Sequence, residues 1–79
     1  MKLLFIADPL DSFKVEKDTT LAMMRVAQSA GHEIWYTQSH DLLWGQGKAR
    51  ARAQPLTVTN DLIWYRLGEV EEHSLDYFT

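Results

Sequence analysis

A chain of 79 residues has room for one small domain, since chains near this length bury only about 60% of their unfolded surface. Its composition, 46% hydrophobic and 24% charged, is that of a soluble globular protein and excludes intrinsic disorder. A net charge of −3 gives no general attraction for nucleic acid or acidic membranes, and the lack of cysteine excludes disulfides and thiolate metal sites.

The longest apolar run, Leu3 to Ala7, is far shorter than the roughly 20 residues of a membrane span, and too little apolar chain precedes Asp8 for a signal peptide. The expectation is a cytoplasmic protein, with no membrane and no nucleic-acid partner. In chain order, Lys2 to Ala7 is continuously apolar after the lysine, which suits a strand covered on both faces. Asp8-Pro9 ends it, because proline has no amide hydrogen for a ladder. A polar loop over residues 8–16 follows, then the knot Lys17-Asp18-Thr19-Thr20.

From Asp18 the period changes to that of a helix. Leu21, Met24, Ala27 and Ala30 recur at steps of three, with Ala22 and Val26 beside them. Asp18 is a suitable N-cap and Gly31 a suitable stop, so the helix is expected from about Asp18 to Ala30. His32 to Thr37 reads as a second strand. The three elements predict a right-handed β-α-β unit with parallel strands.

In the second half, Gly45-Gln46-Gly47 separates two extended runs, Asp41 to Trp44 and Lys48 to Thr59, and predicts a hairpin. Along the second arm, Lys48, Arg50 and Arg52 alternate with Ala49, Ala51 and Ala53, placing cations on one face and alanines on the other. Pro55 marks an edge or a bulge. Asp61 to Leu67 is a further strand or a short helix; periodicity does not decide. Glu69, Glu71 and Glu72 read as an acidic loop, and Ser74 as the cap of a last helical turn. Tyr77-Phe78 have no evident core to enter, so the sheet reads as incomplete and the chain as the front piece of something larger.

The polar loop and knot sit where open α/β sheets bind ligands, outside the carboxyl ends of the strands. Asp11, Ser12, Asp18, Thr19 and Thr20 are the candidate binding residues. A helix N-terminus offers free amides to a carboxylate, and the threonines add hydroxyls. Plain helix capping is the alternative, in which Asp18 serves its own helix and nothing else. The Lys48/Arg50/Arg52 stripe suits a solvated strand face, or ion pairs with the acidic segment from Glu69 to Glu72, better than phosphate binding. His32, His40 and His73 have no metal spacing, and the chain carries no P-loop and no partnered nucleophile.

Asp8-Pro9, Lys17-Asp18-Thr19-Thr20, Ala22-Met23 and Gly31-His32-Glu33 resemble the start of the prokaryotic-type glutathione synthetases. Asp41-Leu42, Gly47 to Ala51 and Pro55-Leu56-Thr57-Val58 follow the same pattern, so the resemblance runs over nearly the whole chain. Leu21 departs from it, where the family often has phenylalanine. The resemblance implies a Rossmann-like domain preceding an ATP-grasp module, in which residues 1–79 form the substrate-side, N-terminal part. It implies that the complete enzyme ligates γ-glutamylcysteine and glycine through an acyl-phosphate, using ATP and magnesium. The ATP and magnesium ligands would lie outside this chain, which alone is expected to be inactive and to bind neither. The domain is expected to contribute peptide-substrate contacts from the five residues above and to join a homo-oligomer. The alternative is a self-standing, non-catalytic binding or oligomerisation module.

Overall fold

A computed structural model describes residues 1–14, 17–59, 61 and 63–78. Parts of the expected 8–16 loop (Val15, Glu16) and of the segment from Asp61 to Leu67 (Leu62) lie outside the described residues. Within them, one helix, α1 (Thr19–Ser29), accompanies a mixed sheet of six strands. These are β1 (Lys2–Ile6), β2 (Glu33–Thr37), β3 (Leu42–Gly45), β4 (Lys48–Val58), β5 (Tyr65–Leu67) and β6 (Glu71–Ser74). Short 3-10 turns occupy Leu10–Ser12, Ser39–Asp41 and Leu75–Tyr77.

The β-α-β start is present with parallel strands, but β1 is an edge strand, nowhere fully buried and with Ile6 52% exposed, rather than covered on both faces. β1 and β2 are parallel, in register from Lys2↔Glu33 to Ile6↔Thr37, and the Ala7 amide still donates to the Thr37 carbonyl at 3.1 Å. Asp18 caps α1 with one oxygen: Oδ1 accepts from the amides of Thr20 at 2.9 Å and Leu21 at 3.3 Å. At the far end Gly31 has φ +88°, a region costly for residues with a Cβ. Its amide donates to Gln28 and the His32 amide to Ala27, the paired bonds of a Schellman stop.

The buried helix face is narrower than the periodicity predicts. Leu21, Met24 and Ala27 are buried against Ile34, Tyr36, Leu56, Val58 and Trp64, whereas Ala22, Val26 and Ala30 are exposed. Gln28 extends the packing with polar bonds: its side-chain amide donates to the Val58 carbonyl and accepts from the Val58 amide, both at 2.8 Å. It thereby satisfies strand groups that a neighbouring strand would otherwise take.

β4 organises the rest. It pairs antiparallel with β3 and β6 through its first half and with β2 and β5 through its second. The predicted hairpin is present with a two-residue turn, Gln46-Gly47, because Gly45 pairs with Lys48 inside the ladder. Both turn residues have positive φ, 53° and 73°, as the tightest hairpins require. The alternation also holds, with Ala51 and Ala53 buried.

Pro55 sits inside the sheet, opposite Trp35, at a bulge rather than an edge. Between the pairs Ala53↔Glu71 and Leu56↔Leu67, β4 has two residues and the opposing chain three. Gly68 occupies that extra space: its amide donates to the Pro55 carbonyl at 2.8 Å, and Gln54 Nε2 donates to the Gly68 carbonyl at 3.0 Å. A Cβ on Gly68 would lie 3.1 Å from Pro55 Cγ and 3.2 Å from Cδ. Gly68→Ala is therefore expected to lower stability by about 1–3 kcal/mol, read as a lower urea midpoint at unchanged slope.

Two expectations are corrected. The acidic segment is not a loop throughout: Glu71–Ser74 is strand β6, with Glu72 directly opposite Arg52. Composition suggested a solvated loop, but cross-strand charge pairing with the basic arm makes it a strand. Likewise, Tyr77 and Phe78 do have a core to enter. They surround Trp35 on the sheet face opposite α1, with ring centroids 5.7 and 5.6 Å from it, and His73 stacks on Tyr77 at 3.7 Å. Between Asp61 and Leu67 the described structure is strand only at Tyr65–Leu67, with no helix among the described residues.

Candidate functional site

A cleft of about 330 Å³ opens at the carboxyl ends of β1 and β2. Ile6, Ala7 and Asp8 form its floor where β1 ends, and Ser39 enters just after β2. Asp18 and Thr20 line it from the start of α1, and Phe13 closes the loop side. The helix start faces the cleft, so its positive end and the Thr20 hydroxyl favour a carboxylate, while Asp8 and Asp18 supply negative charge for an ammonium. The lining carries two carboxylates and no cationic side chain, which suits an ammonium group, with the Thr20 and Ser39 hydroxyls left to accept from or donate to other polar groups.

The five residues singled out in the sequence do not all meet here. Asp18 and Thr20 do. Thr19 lines a different, apolar groove of about 480 Å³ between α1 and β1, shared with Leu3, Phe5, Met23 and Val26. Ser12 turns back on its own loop, its hydroxyl donating to the Pro9 carbonyl at 2.6 Å. The Asp11 carboxylate accepts a short hydrogen bond from the Tyr65 hydroxyl. That bond to Asp11 is the main reason the Tyr65 phenol titrates above its ordinary range.

Ile6, Ala7, Asp8, Phe13 and Ser39 are the cleft residues outside the five candidates, and Asp8 and Ser39 are the polar ones among them. Asp8 was absorbed as a strand terminator. Applying the carboxyl-end rule to the second parallel strand as well as the first would have found Ser39. The Asp8 backbone is fixed by Tyr36, whose hydroxyl donates to the Asp8 carbonyl at 2.9 Å. Burial raises the Tyr36 phenol above its usual range, partly offset by hydrogen bonds.

Two of the three cations of the basic stripe, Arg50 and Arg52, are paired. Arg50 Nε donates to Glu72 at 2.9 Å, and Arg52 Nε lies 3.6 Å from the same carboxylate. The Arg50 bond holds the Glu72 carboxyl below its ordinary range. A depressed carboxylate contributes above its unfolded value and loses its contribution as pH falls through the lowered one, so this pairing weakens only in acid. Among the described residues no three His, Asp or Glu side chains converge as a metal site requires, and no helix is long and apolar enough to cross a membrane.

The family model described as "Prokaryotic glutathione synthetase, N-terminal domain" matches residues 1–79. The chain belongs to this family. A glutathione synthetase of Nitrosomonas europaea is 43% identical over 82 residues, covering 99% of this chain and 26% of that protein. Those of Pseudomonas putida and Salmonella typhimurium are 41% and 37% identical over 76 residues, each covering 95% of this chain and 24% of the relative. The chain thus spans about a quarter of the length of the curated relatives it matches. Within this glutathione synthetase N-terminal domain, the cleft brings together Asp8, Asp18 and Thr20, which come from two of the motifs that carry the resemblance.

Proposed function

We propose that residues 1–79 are the Rossmann-like, substrate-side domain of an ATP-grasp glutathione synthetase, which joins γ-glutamylcysteine to glycine. The observation that carries this reading is the position of the cleft. It lies at the carboxyl ends of a parallel pair, beside a capped helix start, with two carboxylates suited to the ammonium that a γ-glutamyl peptide presents and hydroxyls suited to its carboxylates. In this reading Asp18 and Asp8 face the peptide ammonium, while the Thr20 hydroxyl faces a carboxylate. Asp11 and Ser12 shape the loop behind them, and Thr19 faces the groove on the other side.

ATP and magnesium belong, on this proposal, to the ATP-grasp module, where they supply the activated acyl group. On the same proposal the role of this chain is binding and orienting the peptide. The groove beside β1, with Val26 69% and Met23 56% exposed, supports a larger assembly in which a further segment covers it. Subunit contacts in a homo-oligomer and a cytoplasmic location are further parts of the proposal.

The test joins this chain to the remainder of the Nitrosomonas europaea glutathione synthetase. The chimera is expected to form glutathione from γ-glutamylcysteine, glycine and ATP, and the 79-residue chain alone to form none. A folded chimera that binds ATP yet forms no glutathione would contradict the assignment, as would ligation by the chain alone.

A further inference from the structure

We infer that Tyr65 is a positioning residue for the cleft, holding the loop between Asp8 and Phe13 in place through the Asp11 carboxylate. The inference rests on the substrate assignment above and adds a residue to it.

The loop supplies two cleft walls, Asp8 at one end and Phe13 at the other. Its own local bonds are turn bonds: Ser12 to Pro9 at 2.9 Å and Phe13 to Leu10 at 3.1 Å, both through backbone amides. Such bonds fix the shape of the turn but not its place on the protein. Placement comes from three distant contacts. Leu10 is buried in the core, and the Tyr36 hydroxyl holds the Asp8 carbonyl. The third contact is the segment Trp64-Tyr65. Trp64 stacks on Phe13, with ring centroids 5.6 Å apart and planes 20° from parallel, and the Tyr65 hydroxyl donates to Asp11. Two consecutive residues, more than fifty positions along the chain, thus grip both the middle and the far end of the loop.

The Asp11 contact is the adjustable part of that grip. Leu10 and Trp64 are buried and form with the core, whereas Asp11 is exposed and its carboxylate is engaged by a phenol. Losing the phenol hydroxyl would free the turn to rock about Leu10, and Phe13 and Asp8 would lose their fixed separation across the cleft. A carboxylate so engaged is also less available to a ligand, which separates the role of Asp11 from that of Asp18.

Tyr65→Phe and Asp11→Asn in the full-length protein test this, with two readouts. The first is amide hydrogen exchange at Ser12 and Phe13. Tyr65→Phe is expected to speed exchange there while leaving the α1 amides unchanged. Asp11→Asn, which keeps an acceptor oxygen for the phenol, is expected to retain most of the protection. The second is kinetics. Tyr65→Phe is expected to raise KM for γ-glutamylcysteine by about five- to tenfold, the range of one hydrogen bond, with kcat and KM for ATP nearly unchanged. Asp11→Asn is expected to shift that KM less than Tyr65→Phe does. Unaltered exchange at Ser12 and Phe13 in Tyr65→Phe would overturn the inference, and so would faster exchange with unaltered KM. A larger KM effect from Asp11→Asn than from Tyr65→Phe would overturn it too, making Asp11 a direct ligand contact. If the parent protein has no ligase activity, the substrate assignment falls, and the exchange rates still decide whether Tyr65 holds the loop.

Discussion

Trp35→Ala is expected to remove a large share of the stability of this domain. Trp35 lies in the middle of β2, 3% exposed, on the sheet face that α1 does not cover. Its ring is met edge-on by His73, Tyr77 and Phe78, with centroids 5.6–5.7 Å away, and its Nε1 donates to Glu33 at 2.8 Å. Truncating such a side chain costs about 3–5 kcal/mol through lost burial and the cavity left behind. A chain of this size has only about 4–12 kcal/mol to lose at the usual stability per residue. The substitution also removes the surface on which the last segment docks, so β6 and the 3-10 turn after it should loosen together. Urea denaturation followed by circular dichroism gives the measurement. Trp44→Ala is the control: Trp44 is 77% exposed, and its loss is expected to shift the midpoint little. Equal effects at the two positions would contradict the packing described.

The second large effect is expected at Asp18, and it separates capping from binding. Both capping bonds fall on Oδ1, an oxygen that asparagine also has. Asp18→Asn should therefore keep the helix start and lose the charge alone, whereas Asp18→Ala should also cost about 0.5–2 kcal/mol of stability. If the carboxylate faces the peptide ammonium, its loss removes a charge-assisted bond of roughly 1.5–3 kcal/mol. In the full-length enzyme that raises KM for γ-glutamylcysteine by about one to two powers of ten, with the melting temperature almost unmoved. Thr20→Val, which removes a hydroxyl from the same wall, is expected to act in the same direction and less strongly. Parental KM in both variants would leave Asp18 as a helix cap and nothing more.

The β-α-β start was legible because every local signal agreed. An unbroken apolar run, a capping aspartate, a helical period and a glycine stop all name the same boundaries, and each bond they promise is present. The hairpin was legible for the same reason. What escaped was non-local. Nothing near Glu71 announces a strand; the segment becomes one because it pairs with the arm that carries Arg50 and Arg52, some twenty residues earlier, with Arg52 directly across from Glu72. Nothing near Tyr77 announces a core, because the Trp35 it covers sits on the far side of the chain's middle. The site divides in the same way. Asp18 and Thr20 follow from the helix start alone, whereas the separation of Thr19 from them depends on which side of α1 packs on the sheet. The engagement of Asp11 depends on Tyr65, and no spacing rule connects positions so far apart.

On the proposed function, the peptide substrate binds in the cleft at the carboxyl ends of β1 and β2. Hydrogen exchange of the full-length protein with and without γ-glutamylcysteine tests it most directly, with a non-hydrolysable ATP analogue present throughout. Substrate is expected to slow exchange at the start of α1, around Thr20 and Leu21, and beside Asp8 and Ser39, while the β3–β4 hairpin around Trp44 and Lys48 is unaffected. Protection confined to other parts of the protein, with those amides unchanged at saturating peptide, would contradict it.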